Sequence, residues 1–251
     1  MSIEHLAIVA FVGFIAGFIN VLAASGSMMT LPLLIFLGVD PNVANGTNRI
    51  AIIVQNIIAV RSFRKQKLLS YRTNVPIMVA AVIGAFFGTI TVVSIDKEAL
   101  NLIIGILLLA MFLIMLFNPK LWVKKHENIN VDKIKHKSQF LIFFLIGFYG
   151  GFIQAGVGVF LIAGLVVGIG YDLLRANAVK LLIMLVYTPV SLAIFLYYGY
   201  IDWEIGLFLA AGHAIGAYLA SKYAAKIGTK YIHYFLLVVI LASGLKLVGA
   251  F

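Results

Sequence analysis

Two cationic side chains, Arg49 and Lys180, lie inside apolar segments, several residues from the nearest loop. A charge is costly in such surroundings and often marks a functional site. Asparagines accompany both cations, and a set of cations and amides without acids favours a small anion as the ligand. The predicted anion contacts of these two segments are Arg49, Lys180, Asn45, Asn48, Asn177 and Thr47. The alternative interpretation is that both cations extend to lipid head groups.

The apolar segments lack the acidic and cysteine side chains that commonly support catalysis. The nine Asp and Glu residues all lie in loops or at segment ends, and there is no cysteine. The five histidines have no metal-ligand spacing, and no GxSxG, HExxH or Walker motif occurs. The sequence therefore predicts a protein that is not an enzyme and that binds neither a cofactor nor a metal.

Two charge-free runs, residues 6–39 and 138–171, are each 34 residues long. A single helix of that length would extend about 51 Å, whereas the hydrocarbon core of a bilayer is about 30 Å thick. Each run should therefore break, at residues 25–27 and 156–158, and leave unpaired N–H groups that can bind an anion. The residues assigned to the anion site from these breaks are Ser25, Gly26, Ser27, Gly156, Gly158 and Gln154. The alternative role of these glycines is close helix packing.

His213 is the only histidine deep inside an apolar segment. Histidine titrates near physiological pH, so His213 is the candidate for carrying a coupled proton. The alternative is a hydrogen-bonded packing residue. The glycine pairs 84/88 and 212/216 have the small-xxx-small spacing of packed membrane helices, and packing is the role predicted for them.

The composition indicates that these segments lie in a membrane. Hydrophobic residues make up 63% of the 251 residues and charged residues 11%, with a mean hydropathy of +1.09. A soluble domain is about half apolar and about a quarter charged, so a water-soluble protein is excluded. In a membrane protein, the formal net charge of +10 indicates which loops face the cytoplasm. Nucleic acid is therefore not an expected partner.

The two halves of the chain resemble each other. Residues 13–20 align with 147–154, residues 38–45 with 170–177, and residues 84–88 with 212–216, in the same order. Fourteen of the 19 Lys and Arg residues lie in loops 61–72, 118–138 and 221–230, which predicts that these loops are cytoplasmic. The loops around Asp96 and Asp202 then lie outside. Each half has an odd number of crossings, so the repeats are inverted in the membrane.

The predicted fold is an all-α polytopic membrane protein with two inverted repeats. Each repeat has a broken or re-entrant first helix pair followed by three spanning helices, which gives 8–10 membrane segments in total. The repeats are residues 1–117 and 139–251, joined by a basic cytoplasmic linker at 118–138. The start of the chain lacks the pattern of a signal peptide, so the first segment is expected to be retained.

The pattern resembles the sulfite exporter TauE/SafE family of membrane permeases. The resemblance rests on the glycine break followed by residues 30–34, on residues 38–41 and 44–48, and on their second-half counterparts. It implies a multi-pass protein of the cell membrane of a bacterium or archaeon that moves sulfite, sulfonates or related sulfur-containing anions, commonly outwards. The residues alone lead only to a small anion.

The predicted function is that of a secondary transporter of small anions working by alternating access. The expected partners are the anion and the lipid bilayer, and a homo-oligomer is left open. The alternatives are an anion channel, a carrier of another small solute such as an amino acid, a membrane-embedded enzyme, and a structural subunit of a larger complex.

Overall fold

A computed structural model describes residues 2–23, 26–69, 71–117, 136–223 and 230–250, with side chains except those of 23, 136–137, 223 and 230–235. All regular secondary structure in these ranges is helical. The helices are α1 (Ile3–Ala23), α2 (Ser27–Phe36), α3 (Pro41–Lys65), α4 (Tyr71–Val93), α5 (Lys97–Phe117), α6 (His136–Phe152), α7 (Val157–Ala163, continued by a π-helical segment Gly164–Ile169), α8 (Leu173–Tyr197), α9 (Trp203–Tyr223) and α10 (Lys230–Leu247). Most of the basic linker and of loop 221–230 lies outside the described residues.

Aspartates begin several of these helices. The carboxylate of Asp40 accepts a hydrogen bond from the backbone N–H of Asn42 at 2.9 Å, and that of Asp172 accepts one from Arg175 at 3.0 Å. Asp96 and Asp202 bind the backbone of α5 and α9 in the same way. A carboxylate satisfies an orphan N–H and suits the positive end of the helix dipole. These four acidic residues therefore have a local structural role at helix starts.

Within the described ranges, five helices are long and apolar enough to cross a bilayer: α1, α4, α5, α8 and α9. Their outer faces carry large exposed apolar side chains, such as Phe87, Leu102 and Leu207, which would face lipid. Helix α3 is 25 residues long but buries a row of polar side chains instead. The chain is thus an all-α polytopic membrane protein, as the sequence predicts.

The break predicted in each 34-residue run is present. Helix α1 ends at Ala23 and α2 begins at Ser27, while α6 ends at Phe152 and α7 begins at Val157. At 1.5 Å per residue, the ten residues of α2 extend only about 15 Å, half of the hydrocarbon core. Helix α2 is therefore too short to cross the membrane alone.

Helices of one half pack on helices of the other. Helix α1 packs along α9 and α4 along α6, α3 contacts both α8 and α9, and α5 pairs with α10. Exchanging α1–α5 for α6–α10 converts the α1–α9 contact into the α6–α4 contact, and α3–α9 into α8–α4. This exchange is the pattern expected of two related repeats. Their inverted orientation in the membrane stays a prediction.

The glycine pairs bring two of these helix pairs into backbone contact. A Cβ added at Gly84 or Gly88 would lie 2.0 Å from a carbonyl oxygen of α6. A Cβ added at Gly212 or Gly216 would lie 2.1 Å from a carbonyl oxygen of α1. No side chain fits at these distances, so the packing role predicted for the four glycines is confirmed.

The helix connections form two groups at opposite ends of the bundle. At one end, the amide of Asn42 donates to the carbonyl of Ile95 at 3.1 Å, and the hydroxyl of Thr47 accepts from the backbone N–H of Asp202 at 2.9 Å. At the other end, Gln66 donates to the carbonyl of Ser221 at 3.5 Å. The basic segments near 66 and 221 therefore share one end, and the acidic connections near 96 and 202 share the other.

Single cysteines test which end is cytoplasmic. Lys65→Cys and Lys125→Cys should be protected from an impermeant thiol reagent added to intact cells, whereas Glu204→Cys, at an exposed position beside Asp202, should react. The expectation follows from the distribution of basic residues. The parent chain has no cysteine and is the background control. Labelling of Lys65→Cys and Lys125→Cys from outside, with Glu204→Cys protected, would show that the protein has the opposite orientation in the membrane.

Candidate functional site

The second break is a sharp bend between α6 and α7. The backbone φ is +63° at Gln154 and +74° at Gly156. Both values lie in the left-handed region, which residues other than glycine seldom adopt. A Cβ at Gly156 would lie 2.0 Å from the methyl carbon of Met28, so a larger residue would also have to displace the end of that side chain. Ser27, at the start of α2, donates to the carbonyl of Gln154 at 3.3 Å. The two breaks therefore touch each other.

Arg49 binds the end of α6 at this bend. One terminal guanidinium nitrogen, Nη1, donates to the carbonyl of Gly150 at 2.6 Å and to the side-chain oxygen of Gln154. The other, Nη2, donates to the carbonyl of Gly151 at 2.9 Å and to Asn45 Oδ1 at 2.9 Å. The guanidinium also lies 5.4 Å from the ring centroid of Phe195. Arg49 thus satisfies carbonyls that the last turn of α6 cannot pair internally.

Lys180 makes the corresponding contact with the end of α1. Its ammonium donates to the carbonyl of Asn20 at 2.8 Å and to Asn177 Oδ1 at 2.7 Å. The amide of Asn177 in turn donates to the carbonyl of Val21 at 2.6 Å. The first site repeats this arrangement, because the amide of Asn45 donates to the carbonyl of Phe152 at 2.7 Å. Asn45 and Asn177 therefore each join a cation to the broken helix opposite.

Each cation belongs to one half of the chain and binds the carbonyl end of the broken helix of the other half. The negative end of a helix dipole attracts a cation, which favours both contacts. Arg49 and Lys180 are both fully buried. The alternative interpretation, in which they extend to lipid head groups, is therefore wrong.

The remaining predicted contacts lie around the same two breaks. Asn48 accepts a hydrogen bond from the Thr30 hydroxyl at 3.0 Å, and Ser27 accepts one from the backbone N–H of Gly156 at 3.4 Å. Gly26 sits where a Cβ would lie 1.9 Å from the carbonyl of Ala16, so it permits close helix approach. Gly158 is buried in the first turn of α7, whereas Thr47 lies farther out, against Asp202. Ser25 lies outside the described residues.

His213 belongs to a buried polar chain on the Lys180 side. Its Nδ1 lies 2.9 Å from Gln55 Oε1, which also accepts from the amide of Asn20 at 3.2 Å. Because Gln55 Oε1 can only accept, the histidine proton is assigned to Nδ1. Gln55 also donates to Asn56 at 3.1 Å. His213 is therefore hydrogen-bonded and is linked through Gln55 and Asn20 to the lysine.

Sequence reasoning missed Asn20, which joins Lys180 to His213. The repeat contained the signal, since Asn20 aligns with Gln154, the residue that binds Arg49. Each broken helix thus has an amide residue at its end. Tyr187 is fully buried and lies beside Gly150, where an added Cβ would be 2.7 Å from the tyrosine hydroxyl oxygen.

The two sites contain positive charge without negative charge. None of the Asp and Glu residues in the described ranges is buried, and the acceptors around Arg49 and Lys180 are backbone carbonyls and amide oxygens. A helix C-terminus carries only about half an elementary negative charge. The centre of the bundle is therefore a cationic region suited to an anion.

Comparisons with known proteins identify the family of the chain. The sequence profile described as "Sulfite exporter TauE/SafE" matches residues 9–247. A probable membrane transporter protein of Haemophilus influenzae is 31% identical over 227 residues, which cover 88% of this chain and 86% of that protein. The probable membrane transporter protein ORF9 of a Sinorhizobium species is 28% identical, over 99% of this chain and 94% of its own. The probable membrane transporter protein YfcA of Escherichia coli K12 is 27% identical, over 96% and 89%. The chain therefore belongs to the sulfite exporter TauE/SafE family of membrane transporters.

Proposed function

We propose that this protein is a secondary transporter that moves small sulfur oxyanions, such as sulfite or sulfonates, across the cell membrane of a bacterium or archaeon. One observation carries the proposal. Two cations, Arg49 and Lys180, are fully buried at the ends of broken helices, and no buried carboxylate accompanies them in the described ranges. A buried cation without a counter-ion is costly, and a transported anion offsets that cost during turnover.

Alternating access is the mechanism that this arrangement supports best. Arg49 on α3 binds α6, and Lys180 on α8 binds α1, so both contacts cross between the two halves. An anion that draws either cation from its carbonyls would loosen one of these contacts. The contact made by the second cation could stay closed at the same time. The anion site would then be open to one side of the membrane only, as alternating access requires. Transporters with broken helices in inverted repeats use such midplane sites.

The choice of sulfur oxyanions rests on the family name, because the relatives are named only as probable membrane transporter proteins. The side chains themselves select an anion with hydrogen-bond acceptors. Arginine suits planar or pyramidal oxyanions because its fork can serve two oxygens at once. We expect sulfite and alkyl sulfonates to be better ligands than chloride for the same reason.

Uptake into proteoliposomes tests the proposal. Purified protein would be reconstituted and supplied with labelled sulfite, thiosulfate, sulfate, methanesulfonate or alanine, with and without a pH gradient. We expect saturable uptake of at least one sulfur oxyanion and counterflow when the same unlabelled anion is loaded inside, with empty liposomes as the control. Uptake of alanine alone would indicate an amino-acid carrier, and single-channel currents would indicate a channel.

Coupling to protons is assigned to His213. We expect His213→Gln to abolish pH-driven accumulation while leaving anion exchange, because glutamine can bond to Gln55 but cannot take up a proton. His5→Gln is the matched control, since His5 is exposed in the first turn of α1. Both variants would be assayed for accumulation under a pH gradient and for counterflow without one. If His213→Gln still accumulates the anion fully under a pH gradient, the histidine is a packing residue and does not carry the coupled proton.

A further inference from the structure

Three buried donors near the second break have no hydrogen-bond partner within the described part of the chain. They are Arg49 Nε, the amide nitrogen of Gln154 and the hydroxyl of Tyr187. All three residues are fully buried. Buried polar groups are nearly always hydrogen-bonded, so a cluster of such atoms calls for a specific explanation.

These three groups surround one turn of the chain. Arg49 binds the carbonyl of Gly150 at 2.6 Å and the side-chain oxygen of Gln154, which leaves the amide nitrogen of Gln154 free beside it. The hydroxyl of Tyr187 lies next to Gly150, at 2.7 Å from the place that a Cβ would occupy. The tyrosine hydroxyl therefore packs directly against the backbone of this turn, and an anion would reach it when this contact opens during turnover.

The corresponding atoms around Lys180 are different. There the buried atoms without a partner include Asn20 Oδ1, which is a hydrogen-bond acceptor, together with Asn56 Nδ2 and His213 Nε2. Asn20 Oδ1 can only accept a hydrogen bond and would repel an anion, whereas all three unpartnered groups on the Arg49 side can donate one. The two cation sites correspond in position within the repeats but differ in what they offer to a ligand.

We propose that Arg49, Gln154 and Tyr187 form the anion subsite of this transporter, and that the tyrosine hydroxyl donates directly to the substrate. The proposal rests on the proposed function. Three donors from three residues can each serve one oxygen of a sulfite or sulfonate group, whereas a carboxylate has only two oxygens. Tyr187 would therefore contribute to selection of sulfonates over carboxylates. The Lys180 side lacks a matching set of three unpartnered donors, so the Arg49 side is the one that selects among anions.

Tyr187→Phe is the sharpest test, because it removes only an oxygen that has no described partner. Sulfite, thiosulfate and methanesulfonate would be titrated onto purified parent and variant protein by calorimetry, with acetate as competitor. We expect at least tenfold weaker binding of the sulfur oxyanion in the variant and a smaller preference for methanesulfonate over acetate. The thermal unfolding midpoint without anion should stay the same or rise, while the stabilisation by added anion should shrink.

Tyr171→Phe is the matched control, since it also removes a phenol hydroxyl, but one that donates to Asn74 at 3.0 Å in another part of the protein. It should bind the anion as the parent does. Gln154→Asn is a second test, because it withdraws the amide from the bend while keeping a side chain that tolerates positive φ. If Tyr187→Phe and Gln154→Asn both bind as tightly as the parent, the subsite is overturned and the transport function stands. If the parent binds none of the three anions, both proposals are overturned.

Discussion

Replacing Arg49 with Gln is expected to weaken anion binding by at least tenfold and to lower the thermal stability of the protein. The affinity falls because the variant loses the buried charge and the fork geometry; tenfold corresponds to about 1.4 kcal/mol. The stability falls because Arg49 is the described hydrogen-bond donor to the carbonyl of Gly150 and to the side-chain oxygens of Asn45 and Gln154, whereas the carbonyl of Gly151 keeps a bond from Thr89. A buried acceptor that loses its donor costs about 1–3 kcal/mol. Calorimetric titration with sulfite and thermal unfolding in detergent would measure the two effects.

Arg49→Lys separates charge from geometry. A lysine keeps the positive charge but lacks the planar fork, so it should keep more of the anion affinity than Arg49→Gln while losing much of the stability. Lys180→Gln should lower the stability less, since the ammonium makes only two described hydrogen bonds. Unchanged sulfite affinity in Arg49→Gln would contradict the cationic site and would leave Arg49 as a structural clamp between the halves.

Adding one methyl group at Gly216 is expected to be nearly as damaging. In Gly216→Ala, the new Cβ would lie 2.1 Å from the backbone carbonyl oxygen of Phe14, so α1 and α9 would have to separate. Overpacking of this kind costs about 1–3 kcal/mol, and backbone cannot move aside as a flexible side chain can. We expect a lower thermal unfolding midpoint, measured on purified protein in detergent.

Gly168→Ala is the matched control. Apart from its chain neighbours and the backbone of its own helix, no described atom lies within 4 Å of a Cβ placed at Gly168, so the same change should be neutral or slightly stabilising there. A similar loss of stability in both variants would show that helix flexibility at glycine matters more than the α1–α9 contact. Equal stability of Gly216→Ala and the parent would mean that the two helices can adjust.

Much of the fold could be predicted from the sequence because a bilayer limits helix length. A charge-free run of 34 residues cannot be one spanning helix, and glycines at residues 26 and 156 mark where each run divides. The burial of Arg49 and Lys180 was predictable for a similar reason. Both lie beyond the reach of a loop, on helices whose starts are marked by Asp40 and Asp172.

The partners of the two cations could not be predicted from the sequence. Repeat alignment places Arg49 and Lys180 near equivalent positions, but it does not show that each binds the broken helix of the opposite half. That pairing depends on how α3 and α8 cross, which is a long-range property of packing. The positive φ of Gln154 was also hidden, since nothing in a glutamine side chain favours that conformation. The roles of Asn45 and Asn177 as bridges follow from these contacts.

The pairing of α1 with α9 has a consequence for how the protein is made. Ribosomes add about 5–20 residues per second, and about 180 residues separate the end of α1 from the start of α9, so α1 enters the membrane on the order of ten to forty seconds before its partner exists. During that interval its glycine-lined face, at Gly13 and Gly17, has no backbone to contact. Lipid or the insertion machinery must cover this face until synthesis reaches α9, and slower elongation after α5 would lengthen the period in which the nascent chain can associate with the wrong helix.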